Sequence, residues 1–180
     1  MGLSLYAAYY FKRAAALRPH DSRMWTALAA CYEALERRGD AIACYERAAV
    51  EAEATGESGG GEGSSGAGEA LLKLARLHAG YEGGAAAAQQ CYARFCRTVG
   101  EAGGGGGAAS DAAEAFLFLA KAAVREGRLE AAETYALKVV GLQGGGGAEE
   151  REARALLAQL REDAAAELDE ISGGMDLSGP

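Results

Sequence analysis

Ala7, Phe11 and Ala14 recur, 34 positions on, as Ala41, Tyr45 and Ala48. No other feature of the chain limits its fold as tightly. Small, aromatic, small at i, i+4 and i+7 marks one face of an α-helix. The return of that face at a fixed stride marks stacked units, each too small to bury its own apolar side. Between the two copies, Trp25, Leu28, Ala29 and Tyr32 follow the spacing i, i+3, i+4, i+7 of another helix. The two helices read as a hairpin. Alanines at 29, 41 and 48 let the axes approach, and the rings fill the space beside them. Arg37-Arg38-Gly39-Asp40 is expected to make the turn. Upstream, Arg18-Pro19 ends a helix, because the residue before a proline is pushed out of the α region. Asp21 or Ser22 is then placed to cap the next helix.

Two blurred copies follow. Leu71, Leu74, Ala75 and His78 mark a first helix, and Ala88, Tyr92 and Phe95 a second. Phe116, Leu119, Ala120 and Ala123 begin another pair, Gly127 and Leu129 mark its turn, and Ala132, Ala136 and Val139 complete it. Alanine replaces the ring at 123 and 136, so this pair is expected to pack more weakly; such a loss costs about 3–5 kcal/mol in a core. Leu156, Leu157, Leu160 and Ala164 then share one face of a last amphipathic stretch, expected to cap the stack.

A helix–turn–helix unit of this period resembles the tetratricopeptide repeat. The expected fold is all-α: a tetratricopeptide-repeat solenoid of antiparallel helix pairs with a C-terminal capping helix. The array spans 3–162, with a half repeat at 3–19, repeats at 22–54, 68–98 and 113–142, and the capping helix at 148–170. Glycine-rich tracts at 55–68, 100–110 and 144–147 are expected to be flexible inserts, and 171–180 a disordered tail.

Composition excludes several functions. Eighteen basic against 26 acidic side chains leave a net charge of −8, which argues against a nucleic-acid or membrane-surface partner. No apolar run is long enough to span a bilayer, and the opening "MGLSLYAAYYFKRAAALRP" lacks the form of a secretory signal. Cys31, Cys44, Cys91 and Cys96 form no C-x-x-C pair and sit in apolar helical patterns, so they read as reduced, buried side chains. "GEGSSG" at 61–66 has the letters of a dinucleotide fingerprint but follows a helix rather than a strand. His78 takes the place of Tyr32 in its repeat and reads as a packing residue, while His20 reads as solvated in a turn. Glu149-Glu150 suits a helix N-terminus. No catalytic, cofactor-binding or metal-binding residues emerge, and no small-molecule substrate is implied.

A stacked array offers a concave face lined by its first helices. Residues away from the packing stripe are Arg23, Thr26, Ala30 and Glu33, then Glu69, Leu72 and Arg76, then Glu114, Leu117 and Lys121. Arg23, Glu33, Arg76 and Lys121 are the candidate protein-binding residues, with the cations suited to an acidic peptide. The packing residues are Trp25, Leu28, Ala29, Tyr32, Ala41, Tyr45, Ala48, Leu74, Ala75, His78, Tyr92, Phe116, Leu119, Ala120 and Ala132.

One block is more specific than the generic repeat. Tyr9-Tyr10, Lys12-Arg13-Ala14, "LRPHDSRM" at 17–24, Ala27-Leu28 and Cys31-Tyr32-Glu33 are joined, in order, by "LLKLARLH" (71–78), "AAQQCYARF" (87–95), "AEAFLFLAK" (113–121) and "EAAETYALK" (130–138). Together they resemble the C-terminal tetratricopeptide array of the cell-division-cycle twenty-three family, subunit eight of the anaphase-promoting complex. The resemblance runs from about residue 3 to 162 outside the glycine tracts. It implies a non-catalytic scaffold subunit of a cell-cycle ubiquitin ligase, found in nucleus and cytoplasm. Its implied partners are the other subunits of the complex and its activator protein. On this reading the chain opens in mid-repeat and corresponds to part of a longer array. The alternative is a stand-alone adaptor that holds a peptide or a chaperone tail in the concave groove.

Overall fold

A computed structural model of the 180-residue chain describes residues 2–55, 66–102, 106–142 and 147–173. They form eight helices: α1 (Gly2–Leu17), α2 (Ser22–Ala34), α3 (Arg38–Thr55), α4 (Gly66–Ala79), α5 (Ala85–Ala102), α6 (Gly106–Arg125), α7 (Leu129–Gly141) and α8 (Gly147–Gly173). No strand occurs among the described residues. Each helix packs on the next, most extensively within the pairs α2–α3, α4–α5 and α6–α7. The first helices also meet across repeats, α2 with α4 and α6 with α8. The fold is the expected all-α solenoid of helix pairs, entered through α1 and closed by α8.

The small-and-ring pattern builds the core as its spacing requires. Ala29, Ala41 and Ala48 are fully buried, and Tyr45 is inserted among them at 1 % exposure. Leu28, Leu74, Ala75, Tyr92, Leu119, Ala120 and Ala132 are buried as well. Trp25, Tyr32, His78 and Phe116 are half-buried, with their outer edges in solvent. Trp25 Nε1 donates to the Pro19 carbonyl at 2.8 Å, giving the indole a fixed partner. The Arg47 guanidinium lies 5.9 Å from the Trp25 ring centroid, and that of Arg37 lies 5.0 Å from Tyr32.

Two clusters share α6. The larger one spans α1 to α5 and takes Ala115 and Leu119 from α6. The smaller one joins Ala113, Leu117 and Ala120 to Ala136, Val139, Ala153 and Leu157 of α7 and α8. Ala123 and Ala136 are fully buried where rings stand in earlier repeats. Phe116 and Tyr135 supply aromatic surface beside them, stacked at 6.3 Å between centroids.

The turns correct one expectation. Gly39 does not turn the chain; Arg38–Asp40 is already the first turn of α3. The reversal is made at Glu36, whose φ is 58°. Its N–H donates to Glu33 O at 3.0 Å, and the Arg37 N–H donates to Tyr32 O at 2.9 Å. That pair of bonds is the Schellman helix stop, normally made with glycine at the left-handed position. Gly127 (φ 72°) makes the same stop after α6, with Gly127 N–H to Val124 O at 3.0 Å and Arg128 N–H to Ala123 O at 2.9 Å. Gly84 is needed for space instead: a Cβ there would lie 2.2 Å from the His78 carbonyl oxygen. Asp21 is the cap of α2, its Oδ1 accepting the Arg23 N–H at 3.2 Å, and Ser22 begins the helix, fully buried.

Helix also reaches into the glycine-rich tracts. Gly66–Gly68 open α4, α5 runs on to Ala102, α6 starts at Gly106, and Gly147 opens α8. The tail expected from 171 is helical to Gly173. Glycine weakens a helix by roughly 1 kcal/mol per position, but extending an existing helix needs no new nucleus. Residues 56–65, 103–105, 143–146 and 174–180 lie outside the described residues, and with them most of the 55–68 tract, "GEGSSG" up to Ser65, and the end of the tail.

Candidate interaction surface

Arg76, on α4, does not stand free in the groove. Its Nε donates to Glu114 Oε1 and Oε2 at 3.0 and 3.1 Å, and its Nη2 donates to Asp111 Oδ1 at 2.9 Å and also to Glu114. The planar guanidinium thus bridges two carboxylates of α6, the geometry arginine is built for. Tyr92, on α5, donates its hydroxyl to Glu114 Oε1 at 2.8 Å, and its ring lies 4.7 Å from that of Phe118. Glu114 therefore gathers α4 and α5 onto α6. The Arg76 hydrogen bond, and after it the Tyr92 hydroxyl, outweigh desolvation and hold the Glu114 carboxyl below its ordinary range. Burial, then the hydrogen bond to Glu114, push the Tyr92 phenol upward.

Lys121 is also engaged. Its Nζ lies 2.6 Å from Glu152 Oε1 on α8. Arg76 and Lys121 occupy the same place in their repeats, and each reaches an acid of the next first helix. On the other side, Arg94 of α5 donates to Glu53 of α3 at 2.7 Å. Arg38 Nη2 donates to the Leu77 carbonyl of α4 at 2.6 Å. These pairs link one repeat to the next.

The remaining candidates fall as follows. Arg23 is exposed and its Nε lies 3.2 Å from Asp21 Oδ1. Glu33 is exposed and accepts the Tyr45 hydroxyl at 3.1 Å. Thr26 donates to the Ser22 carbonyl at 3.1 Å, and Ala30 and Glu69 are exposed. Leu72 and Leu117, expected to face the groove, are instead buried at 4 % and 6 %, Leu72 in the larger core cluster and Leu117 in the smaller. His20 is exposed as expected, its side chain 77 % accessible, and its Nδ1 also lies 2.8 Å from Glu51 Oε2. Glu51 is itself buried, and Arg47 Nη2 lies 2.6 Å from its other oxygen, so the Pro19–Asp21 turn is tied to α3. The His20 hydrogen bond is the chief cause that holds the Glu51 carboxyl low.

The four cysteines are free thiols; Cys44 and Cys91 are buried and Cys31 and Cys96 half-buried. Burial pushes the Cys96 thiol up to about 12, with Lys138 opposing. Among the described residues, no three His, Cys, Asp or Glu side chains converge as metal ligands, and no helix is long and apolar enough to cross a membrane.

The feature that residue patterns did not single out is α1. Leu3, Tyr6, Tyr10 and Leu17 are exposed at 88, 70, 65 and 81 %, and Leu5 and Tyr9 also face solvent. A helix that is apolar all round is one that a protein ordinarily buries. The sequence of α1, with two charges in 16 residues, carried that signal.

No protein-family model matches the sequence, and no curated protein matches it.

Proposed function

We propose that this chain is a non-catalytic scaffold that works through protein–protein contact, as a subunit of the anaphase-promoting complex in nucleus and cytoplasm. The observation that carries the reading is the ordered likeness from "LRPHDSRM" to "EAAETYALK" on a stack of helix pairs. A stack of this kind gives a rigid, extended surface, which is what assembly requires and chemistry does not. The groove reading of a stand-alone adaptor is less well supported, because a carboxylate clamp needs converging free cations and both Arg76 and Lys121 are paired. Affinity purification of the tagged chain from cycling cells tests the assignment. It should recover the other subunits of the complex, and recovery of none of them would overturn it.

A further inference from the structure

The first helices carry a ladder of ion pairs with one cation missing. Ala30, Arg76 and Lys121 hold the same place in their repeats, set by Trp25, Leu71 and Phe116. Arg76 bonds Glu114 on the next first helix, and Lys121 pairs with Glu152 on α8. At the α2–α4 junction the acid is present, since Glu69 stands before Leu71 as Glu114 stands before Phe116. The cation is absent, because its place is taken by Ala30.

The rest of the seat is built. Tyr45 holds the place of Tyr92; where Tyr92 donates to Glu114, Tyr45 donates to Glu33 at 3.1 Å. Glu33 is an added acid, at the place of Ala79 in the next repeat. Burial, then Glu33 and after it Glu69, push the Tyr45 phenol upward, so both carboxylates lie beside it. Ala30, Glu33 and Glu69 are exposed. Neither acid has an ion-pair partner among the described residues. We infer that this junction seats an arginine of a partner protein, its guanidinium over the Ala30 methyl and between Glu69 and Glu33, as that of Arg76 lies between Glu114 and Asp111.

The chain does not supply this cation itself. All 18 of its Lys and Arg residues lie within the described residues, so none is held in reserve in a glycine tract. Lys73, one turn after Glu69 on α4, forms no ion pair with it. α2 and α4 both lie inside the stack, between α1 and α5, so the gap is not an end of the array. Two carboxylates about one phenol suit a planar fork that bonds both at once better than the compact ammonium of lysine. A second copy, itself at −8, would bring more acid to an acidic seat, and repulsion opposes that docking.

The test needs only the purified full chain, so its outcome is independent of the complex proposed above. The isotope-labelled chain is titrated at physiological salt with the peptide acetyl-Gly-Ser-Arg-Ser-Gly-amide, and amide shifts are followed by NMR. Saturable shifts at Ala30, Glu33 and Glu69 are expected, with a Kd of about 10 mM or tighter. The same peptide with citrulline for arginine keeps the shape without the charge and should bind at least about tenfold more weakly. Glu69→Gln in the chain should weaken binding as much. Ala30→Arg should abolish it and raise the urea midpoint, because its side chain fills the seat from within, whereas Ala30→Ser should leave binding unchanged. Both positions are exposed, so these changes leave the helical melt cooperative. The inference is overturned by equal affinity for the citrulline peptide, by unchanged affinity in Glu69→Gln or Ala30→Arg, by no saturation at about 50 mM, or by a dimer of the chain alone that Ala30→Arg splits.

Discussion

Replacing Glu114 with alanine removes the acceptor shared by α4 and α5. The Tyr92 hydroxyl, in a residue 2 % exposed, would be left without its partner, at a cost of about 1–3 kcal/mol. The Arg76 pair adds less: both side chains are at least a third exposed, at 42 % and 34 %, so solvent screens it to about 0–1 kcal/mol. Glu114→Ala should therefore cost about 2–3 kcal/mol, a fall in Tm of roughly 5–10 °C for a chain of this length. Glu114→Gln keeps an acceptor for Tyr92 and should cost about 1 kcal/mol or less. The decisive element is a cycle. Tyr92→Phe alone should destabilise; made in the Glu114→Ala background it should be nearly neutral, because the unsatisfied hydroxyl goes with it. Far-UV circular dichroism melts and urea titrations read all four proteins. The sign with pH also follows. The folded carboxyl ionises at lower pH than the unfolded one, so its contribution is present above the ordinary carboxyl pKa of about 4.3 and is lost as pH falls through the folded value. The gap between wild type and Glu114→Ala should narrow below that point. Additive costs of Tyr92→Phe and Glu114→Ala, or a Glu114→Ala protein within about 0.5 kcal/mol of wild type, would refute the reasoning.

Three further outcomes are expected. Glu36→Gly relieves a left-handed residue at a helix stop and should raise stability by about 0.5–1 kcal/mol after the entropy cost of glycine, measured by urea midpoint; a loss of stability would contradict the reading of that turn. Gly84→Ala drives a methyl into the His78 carbonyl and should cost about 1–3 kcal/mol, whereas Gly39→Ala meets nothing within 4 Å and should be neutral or stabilising by up to about 1 kcal/mol. Cys96, with its thiol pushed up to about 12, should react with iodoacetamide at neutral pH roughly a hundredfold or more slower than in urea, and equal rates by mass spectrometry would remove the burial argument.

The helix pairs were legible because alanine notches and rings recur at a stride that only stacking explains. Ala29, Ala41 and Ala48 sit fully buried as their spacing required. The turn at Glu36 was not legible: glycine is the usual mark of a left-handed stop, and Gly39 drew the boundary three residues late. Helix within the tracts at 100–102 and 106–110 was hidden because composition reports local preference, while adjoining helices and their packing decide the outcome. The groove cations misled for a related reason. By residue pattern Arg76 and Lys121 are single charges on a face, yet their partners Asp111, Glu114 and Glu152 lie about one repeat along the chain. A search for opposite charges at about the repeat spacing would have found them. The open face of α1 was visible only in the excess of apolar residues around that helix, since a pattern cannot say which side of it a neighbour leaves bare.

The stacked arrangement places α4 and α5 against α6, so that side chains far apart in sequence touch. Nuclear Overhauser spectra of the isotope-labelled full chain read this directly. Cross-peaks should join the Tyr92 and Phe118 rings, and Trp25 to the Arg47 side chain. Cross-peaks confined within single helices, or Hα–Hα contacts between strands, would contradict a solenoid of paired helices.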